Sequence, residues 1–174
     1  RAREYQGEWR TFEDARGRGE DPPPPRRDIR LDVLAGILAG SVRVHSHCYR
    51  ADEILMLLRI SQQYGFTIRT LQHVLEGYKV AGEMAQAGVG GSTFSDWWAY
   101  KMEAYDAIPQ NAALMEEAGV LASLNSDSDE MVRRLYAEAA KSVRYAGMDP
   151  VAALRLVTLN PAKQLGIAER VGSI

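Results

Sequence analysis

The sequence is short of the residues that would assign a class at once. One cysteine, Cys48, stands among 174 residues, so no internal disulfide forms, no CxxC pair exists, and a cytoplasmic setting is expected. No apolar run approaches the roughly 20 residues of a membrane span, and the start lacks a charged-then-apolar leader. Neither sign of charge dominates: 21 Lys and Arg face 23 Asp and Glu, a net charge of -2. A nucleic acid or an anionic membrane is therefore not an expected partner. Histidine is scarce too, with only His45, His47 and His73. What remains, 46% apolar and 25% charged residues, is an ordinary globular composition with length for one good core. The chain opens on Arg1 and stops at Ile174 inside what reads as a continuing strand, and a fragment is expected.

Read in order, the first 40 residues form a helical lead-in. Tyr5, Trp9 and Phe12 share one helical face. Pro22 to Pro25 then impose an extended connector, either a spacer between helices or an SH3-type ligand. Asp28 is placed to cap a helix through Leu31, Val33, Leu34, Ile37 and Leu38 that stops at Gly40. From there strands and helices alternate. Strands are expected near 42–47, 67–73, 89–93 and 119–124, with helices over 51–64, 76–86, 109–118 and 130–146, and two more starting at Asp149 and Asn160. The small residues of Val89-Gly90-Gly91-Ser92-Thr93 suggest a close backbone approach. Units of this length argue for parallel βαβ connections, and four of them make half of a closed eight-stranded barrel.

The scarce histidines fall where such a fold places chemistry. His45 and His47 close one strand and His73 the next, while a third strand runs into Asn125-Ser126-Asp127-Ser128-Asp129. Imidazole and carboxylate converging at C-terminal strand ends are ligands for a catalytic divalent metal. Bound metal lowers the pKa of water to about 7, and Asp127 is placed to take its proton and pass it on. Each histidine alone would read as a hydrogen-bonding loop residue; their joint placement carries the argument. Trp97, Trp98 and Tyr100 form a loop over the barrel mouth or a stacking surface for substrate. Cys48 reads as a bystander, and Asp129 as a supporting group or the cap of the helix that follows.

These motifs resemble the C-terminal half of the metal-dependent amidohydrolase superfamily, in particular its imidazolonepropionase-like and dipeptidase-like branch. Val44-His45 is similar to that family's strand-five ligand, Leu71-Gln72-His73 to its strand-six ligand, and Ser126-Asp127-Ser128 to its strand-eight Thr-Asp-Ser. Val157-Thr158-Leu159-Asn160-Pro161-Ala162-Lys163-Gln164-Leu165-Gly166, followed by Val171-Gly172-Ser173-Ile174, resembles its closing helix and the entry to a small β domain. The resemblance implies a partial (β/α)8 TIM barrel, strands five to eight with their helices, over residues 41–174. It implies His45, His73 and Asp127 as metal ligands, Asp127 also catalytic, and His47 facing substrate, and Tyr49 and Trp97 are expected to face substrate beside it. The implied cofactor is a divalent metal, zinc by the imidazole donors, one or two in the complete protein. The implied reaction is hydrolysis of a C–N bond in an amide, peptide or cyclic amide. The family's first-strand His-x-His pair and strand-four bridging group have no counterpart here. The chain alone is therefore expected to bind metal weakly, to lack turnover, and to self-associate as a homo-oligomer through two open sheet edges and an apolar interior. The rival expectation is a half-barrel binding or assembly module without chemistry.

Overall fold

The computed structural model describes residues 1–173. Helix α1, Ala2–Gly17, carries the aromatic face, with Tyr5 and Phe12 both edge-on to Trp9. It lies on α2, Ile29–Leu38, where Tyr5 Oη donates to Asp32 Oδ1 at 2.6 Å. Asp28 caps α2 as its sequence implies, accepting from the amides of Arg30 and Leu31. Yet α2 buries none of its residues, and Ile29, Val33 and Leu34 are exposed.

Four strands follow: β1 Val44–His47, β2 Ile68–Gln72, β3 Gly90–Thr93 and β4 Ala122–Leu124. All pair in parallel in the order β1-β2-β3-β4, with helices between them. The α/β architecture matches part of a (β/α) barrel. Helices α3, Ala51–Tyr64, and α5, Asn111–Glu117, run as their patterns predict. Glu53 reaches back to the amides of Tyr49 and Arg50 to hold the start of α3, and left-handed Gly65 ends it. Two expected helices are broken. Residues 77–80 form a 3-10 turn before α4, Ala81–Gln86, and residues 131–134 another before α6, Leu135–Ala146. At each junction a residue leaves helical geometry, Val80 at ψ 25 and Arg134 at ψ 28. The start of the second turn is served by Ser128 Oγ, which accepts from Met131 N at 3.2 Å; Asp129 is not its cap. Asp149 caps α7, Pro150–Arg155, which stops short of Leu156, and α8, Leu159–Leu165, ends at left-handed Gly166. Residues 171–173 are not a strand, and Ile174 lies outside the described residues.

Register assigns each strand residue to a face. Val44 pairs with Ile68, but His45 pairs with Thr70, so Arg69 is an extra, bulged residue in β2. Beyond the bulge, Leu71, Gly91, Ala122 and Leu124 turn outward to the helices. The core here joins Ile54, Leu58, Ile68, Leu71, Met84, Met115, Leu124 and Leu156. A Cβ on Gly91 would stand 3.0 Å from both Met84 Cε and Met115 Sδ, the close approach its sequence suggests. The inward positions, His45, His47, Thr70, Gln72, Gly90, Ser92 and Ser123, carry no apolar side chain. An apolar interior was expected; a polar one is found.

The two edges also differ. Along the outer edge of β4, Ala122 N donates to Glu116 Oε1 at 3.1 Å, Ala122 O accepts from Asn160 Nδ2 at 2.8 Å, and Leu124 N donates to Leu156 O at 3.0 Å. Gln164, one turn after Asn160, accepts from Ser123 Oγ at 2.7 Å and donates to Leu121 O at 2.8 Å. These contacts give Asn160-Pro161-Ala162-Lys163-Gln164 its structural meaning: α8 seals the last strand. Of the two edges expected to be open, β4 is closed and β1 has no strand beside it among the described residues.

Candidate functional site

The site forms where β2 and β4 end. Immediately after β2, His73 has φ 64, and three residues after β4, Asp127 has φ 46; Ala99 is the third non-glycine residue with positive φ among the described residues. Side chains adopt this region only when the surroundings compel it, and such residues gather at functional sites. Around His73 the compulsion is visible. Val74 N donates to Ser92 O at 3.0 Å and Leu75 N to His73 O at 2.7 Å. Buried Asn111 donates to Val74 O at 2.8 Å and to Thr93 Oγ1 at 3.0 Å, and accepts from Tyr78 N at 2.8 Å.

The imidazole of His73 is stacked against two rings, Tyr49 at 5.8 Å and Phe94 at 5.0 Å, with His47 edge-on at 4.7 Å. Phe94 in turn stacks on Trp97 at 4.5 Å, and Tyr100 meets Trp97 edge-on. The Lys101 ammonium stands 3.9 Å above the Tyr49 ring. Thus Trp97 packs the wall around the imidazole, while Trp98 is half exposed. The loop carrying this wall is tied to α6: Ser95 Oγ donates to buried Glu138, and Lys141 Nζ bonds both Asp96, at 2.5 Å, and Glu138, at 2.8 Å.

His73 Nδ1 stands 3.6 Å from Asp127 Oδ2. That is too long for a hydrogen bond. Burial holds the imidazole below its ordinary pKa of 6.5 against the pull of Asp127, and His47 and Lys101 push it the same way as burial. At neutral pH His73 is therefore uncharged, and the two groups are a pair of electron donors rather than an ion pair. Two donors bound at about 2.1 Å to one tetrahedral cation stand roughly 3.4 Å apart. The pair fits two ligand positions on a shared cation. Among the described residues no group of three or more His, Cys, Asp and Glu side chains is close enough to hold a metal on its own.

The other expected residues divide. His47 and Tyr49 converge on His73, as does Trp97 through Phe94. His45 does not join them. It sits one inward position below His47, its Nδ1 accepting from Gln72 Nε2 at 3.0 Å. Burial, with Arg69 and Arg43 nearby, lowers its pKa. Cys48 is buried on the outward side, and burial pushes its thiol up to about 12, so it is no nucleophile.

Sequence reasoning missed Asn125. Its Nδ2 donates to His73 Nδ1 at 3.2 Å and lies 3.5 Å from Asp127 Oδ1, and its Oδ1 accepts from Ser92 Oγ at 2.8 Å. The available signal was parity, because Asn125 follows inward Ser123 by two residues. Phe94 was missed as a packing partner for the same reason that any single aromatic is: only the fold shows what it covers.

The amidohydrolase family model matches residues 41–174. Among curated proteins, amidohydrolase tasK of Hapsidospora irregularis is 31% identical over 153 residues, which are 84% of this chain and 15% of that protein. Among solved structures, the crystal structure of an amidohydrolase from Thermotoga maritima MSB8 is similar with a TM-score of 0.82 and 27% identity, over 99% of this chain and 44% of that one. The chain spans less than half the length of either relative. No helix among the described residues is long and apolar enough to cross a membrane. Parallel strands that deliver an imidazole and a carboxylate to one end, matched by a family model over most of the sequence, place this chain in the amidohydrolase family.

Proposed function

We propose that this chain carries part of the active site of a metal-dependent hydrolase that cleaves C–N bonds in amides, peptides or cyclic amides. The observation that carries the reading is the uncharged His73 Nδ1 held 3.6 Å from Asp127 Oδ2, with both residues in left-handed backbone. Family membership supports the reaction class. The four strands are read as the fifth to eighth of an eight-stranded barrel, in a unit of residues 41–174 preceded by a lead-in of residues 1–40.

His73 and Asp127 would hold the cation, zinc by donor type, and His45, bonded to Gln72, would be the third ligand only on release from that bond. A bound divalent cation supplies Lewis acidity and an acidified water. Asp127, exposed at the mouth, accepts a proton on a carboxylate oxygen and returns it to the leaving nitrogen. Tyr49 and Phe94 keep the His73 ring from turning, and His47, Tyr49 and Trp97 form the surface that meets substrate. The residues present furnish an incomplete ligand set, so weak metal binding and no turnover are expected of the chain alone. Titration with Co(II), followed by its visible absorption, should show binding that His73→Ala or Asp127→Ala removes. Absence of any binding, or binding indifferent to both substitutions, overturns the reading; turnover of an amide by this chain overturns the inactivity.

A second reading has its own observation. The unpaired edge of β1 and the exposed apolar residues of α2 favour a non-catalytic half-barrel that assembles with another chain, a second copy included. Association that survives His73→Ala in a chain without Co(II) binding would favour it.

A further inference from the structure

We infer that Asn125 is a positioning residue that selects the tautomer of His73 and so prepares the donor pair. The inference rests on the metal-site reading above. Ser92 Oγ donates to Asn125 Oδ1 at 2.8 Å, and the carboxylate oxygen of Asp127 beside the other end favours the NH2 there. The amide NH2 is thereby turned to the site, where it has two acceptors: His73 Nδ1 at 3.2 Å and Asp127 Oδ1 at 3.5 Å. Asn125 is itself anchored, its backbone amide donating to Thr93 O at 3.0 Å.

A carboxamide NH2 can only donate. Facing Nδ1, it demands a lone pair there and leaves the ring proton on Nε2. The nitrogen that stands 3.6 Å from Asp127 Oδ2 is thus the unprotonated one. No proton has to leave before a cation takes the pair. When Nδ1 is taken, the same NH2 still has Asp127 Oδ1 within reach and steadies the carboxylate whose other oxygen is engaged. One side chain serves the pair with and without its cation.

The test reads the ring nitrogens directly. With three histidines in the chain, two-bond 1H–15N NMR spectra of the full 174-residue protein at pH 7.5, assigned with His45→Gln and His47→Gln, report each tautomer. His73 should be the Nε2–H form in the unaltered chain, mixed in Asn125→Ala, and inverted to Nδ1–H in Asn125→Asp, whose carboxylate accepts. Ser92→Ala, a milder change that keeps the amide, should mix the tautomers partly and guards against a failure of Asn125 variants to fold. An identical His73 tautomer in all folded variants overturns the inference. In parallel, Co(II) titration of the unaltered chain and the same variants reports whether the metal-site reading holds. Tautomers that respond while no chain binds Co(II) support the positioning role and overturn the metal reading; Co(II) binding with an unresponsive tautomer does the reverse.

Discussion

The outward and inward faces of one short sheet obey different rules. Outward, Ile68, Leu71, Ala122 and Leu124 are buried against helices, with Gly91 allowing the methionines to close in. Inward, histidine, threonine, glutamine and serine alternate with them, and two of the polar pairs bond across strands, Gln72 with His45 and Ser92 with Asn125. The contrast separates what holds the fold from what the fold presents. Apolar area removed from water stabilises at about 25 cal/mol per Å2, whereas exchanging water for a protein hydrogen bond contributes little net.

Neighbouring residues in β2 put the contrast to its hardest test. Leu71→Ala, at a fully buried outward position, should cost about 2–5 kcal/mol in urea unfolding. Gln72→Ala, one residue on and inward, should cost about 1 kcal/mol or less. Equal costs would erase the division between faces. The division sharpens where the site strains the backbone: Asp127→Gly relieves a positive φ and should raise stability by about 0.5 kcal/mol or more while abolishing Co(II) binding. A loss of stability instead would make Asp127 a structural residue.

The smallest effect is expected from pH. Burial lowers the pKa of both His45 and His73 below the ordinary 6.5. The folded state therefore binds protons less readily than the unfolded chain. The stabilisation is present above about pH 6.5 and is lost as pH falls through the lowered folded values. Urea midpoints at pH 7.5 and 5.5 should differ less in His45→Gln than in the unaltered chain; an unchanged difference would show that His45 contributes nothing to it.

Much of this architecture is legible in the sequence because its signals are local. Asp28 and Asp149 cap the helices they precede, Gly65 and Gly147 end helices in left-handed backbone, and each of the four strands lies within the stretch expected for it. What stays hidden depends on neighbours distant in the chain. The Arg69 bulge is a matter of pairing with β1, and it reassigns every inward residue of β2 after it. His45 and His47 look equivalent in sequence, yet only the register tells which one meets His73. Asn125 acquires a role only because β3 places Ser92 beside it. The polar interior could have been read from the alternation in Val44-His45-Ser46-His47, had the period been followed through the other strands.

The sealed edge of β4 has a consequence for how copies of this sheet can meet. Runaway head-to-tail stacking needs two complementary free edges per molecule, as a filament needs two sticky ends. With Glu116, Asn160 and Leu156 occupying one of them, β1 is the edge left among the described residues to template an incoming strand. Edge-to-edge growth then terminates at the first encounter: two sheets can zip along β1 into a symmetric pair, and the pair has no edge left from which to continue.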